Sequence, residues 1–134
     1  MSEPLTLNIS KSDRPIYSDI LKSGPLKGRY NKEIFLLAMV LGFKEGERIS
    51  IKGHKESFIR AESLNSDDIA LINALAITEE RRPDVISDKR NVFEIAEEYA
   101  HSGLNILRKL VNEQGTFIKK YETFLREHLE TIDE

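Results

Sequence analysis

Apolar residues along the chain fall into blocks, and their spacing changes from one block to the next. Ile16, Tyr17, Ile20 and Leu21 recur at three- and four-residue steps, as on one helix face. Asp13 precedes Arg14 and Pro15, a cap followed by a first-turn proline, and Gly24-Pro25 closes the block. A first helix of about ten residues is predicted there. Residues 1–12 before it are polar and aperiodic and read as a loose arm.

After the loop SGPLKGRYN, Asn31 can cap a second helix. Ile34, Phe35, Leu37, Ala38 and Leu41 cover nearly every side of it, which predicts a central, buried position. Gly42 is expected as its left-handed stop, with Phe43 closing the apolar contact of that motif. Residues 44–65 hold no sustained period. Arg48–Lys52 and Ser57–Arg60 alternate weakly, predicting either a small hairpin turning near Gly53-His54 or an extended loop. A third helix, capped by Ser66 or Asp67, carries Ile69, Ile72, Leu75 and Ala76 on one face and ends near Glu80. The connector ERRPDVISD follows, with Pro83 disfavouring helical geometry at Arg82, and Asp88 is the next cap.

The strongest pattern starts there. Phe93, Ala96, Ala100, Gly103, Leu107, Leu110, Gln114, Phe117, Tyr121, Phe124 and His128 follow alternating steps of three and four. Beside them Leu104, Val111, Ile118, Leu125 and Ile132 recur every seventh residue. Such a seam marks a helix packed lengthwise on another. Gly115 costs about 1 kcal/mol in a helix interior, yet the phase continues through it, which favours one long helix over a helix pair in 88–132. The predicted fold is mainly α: one helical domain, 1–134, with a small β-hairpin or loop and a long C-terminal helix. A helix of roughly forty residues spans about 60 Å, roughly twice what the shorter helices could cover. The surplus stripe predicts a homodimer with Leu104, Leu107, Val111, Phe117, Ile118, Tyr121, Phe124 and Leu125 at its interface.

Composition narrows the chemistry. The chain has 134 residues, the size of one domain, and no cysteine, which excludes disulfides, thiolate metal sites and cysteine nucleophiles. The longest run without a polar residue, Ile34 to Phe43, is too short to span a bilayer, and the N-terminus lacks a signal-peptide pattern. A cytoplasmic location is expected. The net charge of −3 divides unevenly: residues 1–60 hold 11 Lys and Arg against 7 Asp and Glu, residues 61–134 hold 9 against 16.

No serine lies in a G-x-S-x-G turn. Adjacent carboxylates such as Glu97-Glu98 diverge by about 100° on a helix and do not share a site. Glu94, Glu98 and His101 carry an E-x-x-H spacing, but di-iron bundles need a second such set, and Leu125 stands where His128 would need its glutamate. Those residues therefore read as surface ion pairs, and neither a metal nor another cofactor is called for. The glycines at 42, 46 and 53 match no nucleotide-binding loop. Lys27, Arg29, Lys32, Lys44, Arg48, Lys52 and Lys55 would form a phosphate-contacting surface if their loops flank the central helix; otherwise they snorkel at the edges of apolar elements.

Three segments, KEIFLLAMVLGFKEGERISI (32–51), DDIALINALAITE (67–79) and FEIAEEYAHSGLNIL (93–107), together resemble the small Dnd-system-associated proteins. These accompany prokaryotic DNA phosphorothioation and its restriction machinery. The likeness covers about residues 15–110, through hydrophobic helix signatures that carry no catalytic residue. It implies a non-enzymatic accessory protein of an antiviral DNA-modification system, acting through DNA-backbone or protein contacts. The alternative is a homodimeric helical adaptor with no nucleic-acid contact. Expected partners are a second copy, DNA, and proteins of the modification or restriction machinery, with no membrane.

Overall fold

The computed structural model describes residues 5–22, 24–113 and 126. Within them the order is β1 (Thr6–Ser10), α1 (Arg14–Lys22), α2 (Asn31–Glu45), β2 (Lys55–Arg60), α3 (Ser66–Glu80) and α4 (Lys89–Asn112). The fold is mainly helical, with a small antiparallel sheet and a long last helix, as the spacing predicts. Among the described residues no helix is long and apolar enough to cross a membrane.

The core is organised by α2 against α4. Both the all-round apolar α2 and the buried face of α4 reach zero or near-zero exposure at Phe35, Ala38, Met39, Ala96, Leu104 and Leu107. The helices run antiparallel: Ala38 faces Gly103, Gly42 faces Tyr99, and Arg48 past the end of α2 reaches Glu98. Gly42 does not end α2. The helix continues to Glu45 and stops at Gly46, whose N–H donates to Gly42 O at 3.0 Å. Local sequence shows a helix-stop glycine and a helix-crossing glycine alike, because both uses require only the missing Cβ.

Helix α3 lies alongside α2 and points the same way, since Lys32 meets Asp68 near both N-termini and Arg48 meets Glu80 near both C-termini. Its cap is Asn65 rather than Ser66 or Asp67. Asn65 Oδ1 accepts from the Asp68 N–H at 2.8 Å, while Asp68 Oδ2 accepts from the Asn65 N–H at 3.0 Å. Helix α2 is likewise capped one residue early, at Tyr30, whose N–H donates to Glu33 Oε1 at 3.3 Å. Asp88 caps α4 as expected, accepting from the Asn91 N–H at 3.1 Å.

Two expectations for the N-terminal half need correction. Residues 6–10 are not part of a loose arm but form β1, because Leu7 and Ile9 alternate with polar neighbours and bury themselves against the helices. The hairpin between Arg48–Lys52 and Ser57–Arg60 does not form: residues 47–52 are irregular, and β2 pairs antiparallel with β1 instead. The register slips between Leu7↔Ile59 and Asn8↔Ser57, leaving Phe58 as the extra residue. Side chains then occupy the ribbon's backbone groups: the Asn8 N–H donates to Glu97 Oε2 at 2.8 Å, and Ser57 O accepts from Arg14 Nη2 at 3.2 Å.

Asp13 does not cap α1 either. A 3-10 turn, Lys11–Asp13, precedes the helix and is capped by Ser10, while Asp13 turns inward to His101 on α4. In the predicted seam, Leu104, Leu107 and Val111 pack in the chain's own core. Phe117, Ile118, Tyr121, Phe124 and Leu125, and the continuity of the helix through Gly115, lie outside the described residues.

Candidate functional site

The seven basic residues singled out in the sequence lie at three places along the fold. Lys27, Arg29 and Lys32 lie at or just before the start of α2, and Lys44 and Arg48 at or just after its end. A fifteen-residue helix separates those ends by about 22 Å. Lys52 and Lys55 lie at the approach to and start of β2.

Several of the seven are committed to carboxylates. Arg29 pairs with Glu33 at 3.6 Å, a mutually exposed pair of little weight. Lys32 reaches Asp68 Oδ2 at 2.8 Å and Ser63 O at 3.4 Å. Partial burial pushes the Asp68 carboxyl up, but the bonds from Lys32 and the Asn65 N–H outweigh it and hold the group below its ordinary value.

Arg48 joins three elements. Its Nε donates to the buried Glu98 on α4, and its Nη1 stands 3.8 Å from Glu80 at the end of α3. Burial works against the charged guanidinium, yet the Glu98 bond and the nearby Glu79 and Glu80 raise its pKa. A cation here also suits the negative end of the α3 dipole. Beside it the Tyr99 hydroxyl donates to Glu79. Burial, then the Glu79 bond, pushes that phenol up to about 12.

Among the described residues Glu97 is the most deeply placed acid, 3 % exposed on α4. Lys55 Nζ and the Asn8 N–H both bond it at 2.8 Å, so one carboxylate ties the ribbon to the helix. Burial nonetheless outweighs both donors and raises its pKa. Lys55 is therefore a structural counter-ion. Glu94, Glu98 and His101 also diverge in use: Glu94 is exposed, Glu98 takes Arg48, and His101 Nδ1 lies 2.5 Å from Asp13 Oδ2. Among the described residues no three His, Asp or Glu side chains are grouped to hold a metal.

Sequence spacing missed a different feature. The outer face of the β1–β2 ribbon and the first turn of α4 border an open groove of about 850 Å³, with Arg60 and Arg90 on its walls. Arg90 is legible in retrospect. It stands in a first turn that holds no acid, where helix electrostatics favours one.

The class defined by this arrangement is a small α-rich protein in which charged side chains from a loop, a strand and a 3-10 turn are tied to the last helix. Within that class the chain belongs to the family of DNA sulphur modification system-associated protein 4, whose model matches residues 4–132. That span extends the resemblance beyond residues 15–110 to include the C-terminal heptads. No curated protein and no solved structure matches the chain. The protein is thus associated with a DNA sulphur modification system.

Proposed function

We propose that the protein is a non-enzymatic accessory factor of its modification system, working by contact with the DNA backbone and with proteins that handle that DNA. The observation that carries this reading is the family match across residues 4–132. The use of the buried acids supports it: Glu97 and Glu98 are neutralised by Lys55 and Arg48 from other elements and hold the fold together. Affinity capture from the native host with the full chain should recover DNA or proteins of the modification system. Sulphur transfer or DNA cleavage by the purified chain alone would overturn the reading.

A second reading, a homodimeric adaptor without nucleic-acid contact, draws on the heptad residues Phe117, Ile118, Tyr121, Phe124 and Leu125. It differs from the first in its behaviour toward DNA. The adaptor would show a dimeric mass by light scattering and no mobility shift with duplex DNA at low salt.

A further inference from the structure

We propose that the groove between the outer face of the β1–β2 ribbon and the first turn of α4 receives a nucleic-acid phosphodiester backbone, with Arg60 and Arg90 as its phosphate ligands. The proposal rests on the DNA-contact reading above and gives it a location. Strand register places the polar side chains: Thr6 pairs with Arg60 and Asn8 with Ser57, while Leu7 and Ile59 point into the core. Thr6 Oγ1 donates to Asn8 Oδ1 at 2.7 Å, which leaves the Asn8 amide nitrogen as a donor at the groove. The Ser57 hydroxyl, 3.4 Å from Thr6 Oγ1, also lines the groove.

The two cations are available in a way that Arg48 and Lys55 are not. Among the described residues the Arg60 guanidinium meets only Glu62, at 3.6 Å, with both side chains more than three-quarters exposed, a pair that holds neither in place. The Arg90 guanidinium has no partner among the described residues. It also gains nothing from its own helix, whose positive end disfavours a cation. Guanidinium forks, an amide and a hydroxyl suit phosphate oxygens, and a contact made to phosphate carries no sequence information. Glu62 on the rim and the acidic C-terminal half oppose a wider electrostatic footprint, so the contact is local.

Two phosphate contacts predict a log-affinity slope against log-salt of about −1.8, or roughly a tenfold loss between about 50 and 200 mM salt. The test is an amide-shift titration of the full chain, isotope-labelled, with a short unlabelled DNA duplex at both salt levels. The expected shifts fall on Thr6, Asn8, Ser57, Arg60 and Arg90. Arg90→Gln should bring the slope to about −0.9, and adding Arg60→Gln should abolish the shifts while the remaining spectrum reports an intact fold. Shifts centred on Lys27, Arg29 and Lys32 would overturn the groove assignment and leave DNA contact standing. Silence throughout at the lower salt would overturn both. Equal shifts with inorganic phosphate at matched phosphate concentration would mark a free-anion site and overturn the backbone assignment.

Discussion

Gly42 of α2 and Gly103 of α4 face each other where the two helices cross. A Cβ built on Gly103 would stand 1.7 Å from Ala38 O and 2.6 Å from Gly42 N, and one on Gly42 would stand 2.0 Å from Tyr99 O. All the obstructing atoms are backbone, so no side chain can swing aside. Replacing glycine by alanine inside a helix ordinarily gains about 1 kcal/mol. Here Gly42→Ala and Gly103→Ala should each cost about 2–3 kcal/mol instead, because α2 and α4 must separate. Urea midpoints measure this, and a stabilised variant would show that the helices cross elsewhere.

Glu97 and Lys55 predict an unusual pH response. The Glu97 carboxyl is raised above its ordinary value of 4.5 by burial, so its ionised form is a cost to the folded state at neutral pH. As pH falls through the folded-state value, the folded protein binds its proton before the unfolded chain does, and that cost is relieved. Lys55→Met should destabilise by about 2 kcal/mol at neutral pH, less than for a fully buried pair because the lysine is partly solvated. The deficit should shrink on acidification toward the ordinary carboxylate range. A deficit that grows as pH falls would reverse the assignment. Chemical denaturation across that pH interval decides.

Tyr17 is 1 % exposed, and its hydroxyl is buried with no hydrogen-bond partner among the described residues. Burial, followed by the nearby Asp13 charge, pushes its ionisation up, so it stays neutral. The ring stacks at a tilt on Phe58, centroids 4.6 Å apart, and Tyr17→Phe keeps that contact. Removing an unsatisfied hydroxyl should raise stability by about 1 kcal/mol. Thermal unfolding reports the sign, and a clear loss would reveal a partner for the oxygen.

These cases also mark what the sequence discloses. Helices α3 and α4 were legible because Ile72, Leu75 and Ala76, then Phe93, Ala96 and Ala100, keep one phase over several turns. Strand β1 was not, because TLNIS offers only two inward residues and its partner lies some fifty positions away. Gly42 misled because a helix stop and a helix crossing ask the same thing of a residue. Arg48 and Lys55 looked like free cations because their carboxylates, Glu98 and Glu97, are 50 and 42 residues distant. Pairing at such range depends on how α2 and β2 are laid on α4, which local spacing does not encode.

Arg48 separates a structural cation from a phosphate ligand. Its Nε bonds Glu98, itself 6 % exposed, so Arg48→Met leaves a buried acid without its counter-ion. A loss of about 2 kcal/mol is expected, and Glu98→Gln in the same chain should recover part of it, giving a coupling of about 1 kcal/mol or more. On the proposed backbone contact at the Arg60–Arg90 groove, the same variant should bind duplex DNA as the parent does. Unchanged stability with lost DNA binding would return Arg48 to the phosphate surface.

The C-terminal heptads can be tested against the part of the seam the structure places. Leu104, Leu107 and Val111 are covered by the chain's own elements, so the core does not depend on a second copy to bury them. A chain ending at Gly115 should therefore keep the far-UV spectrum and cooperative unfolding of the helical core. If Phe117, Ile118, Tyr121, Phe124 and Leu125 join two copies, the full chain will show a dimeric mass by light scattering and the shortened chain a monomeric one. A dimer that survives the truncation would place the interface within residues 1–115. The exposed Tyr30 and Leu71 would then be the first apolar side chains to substitute.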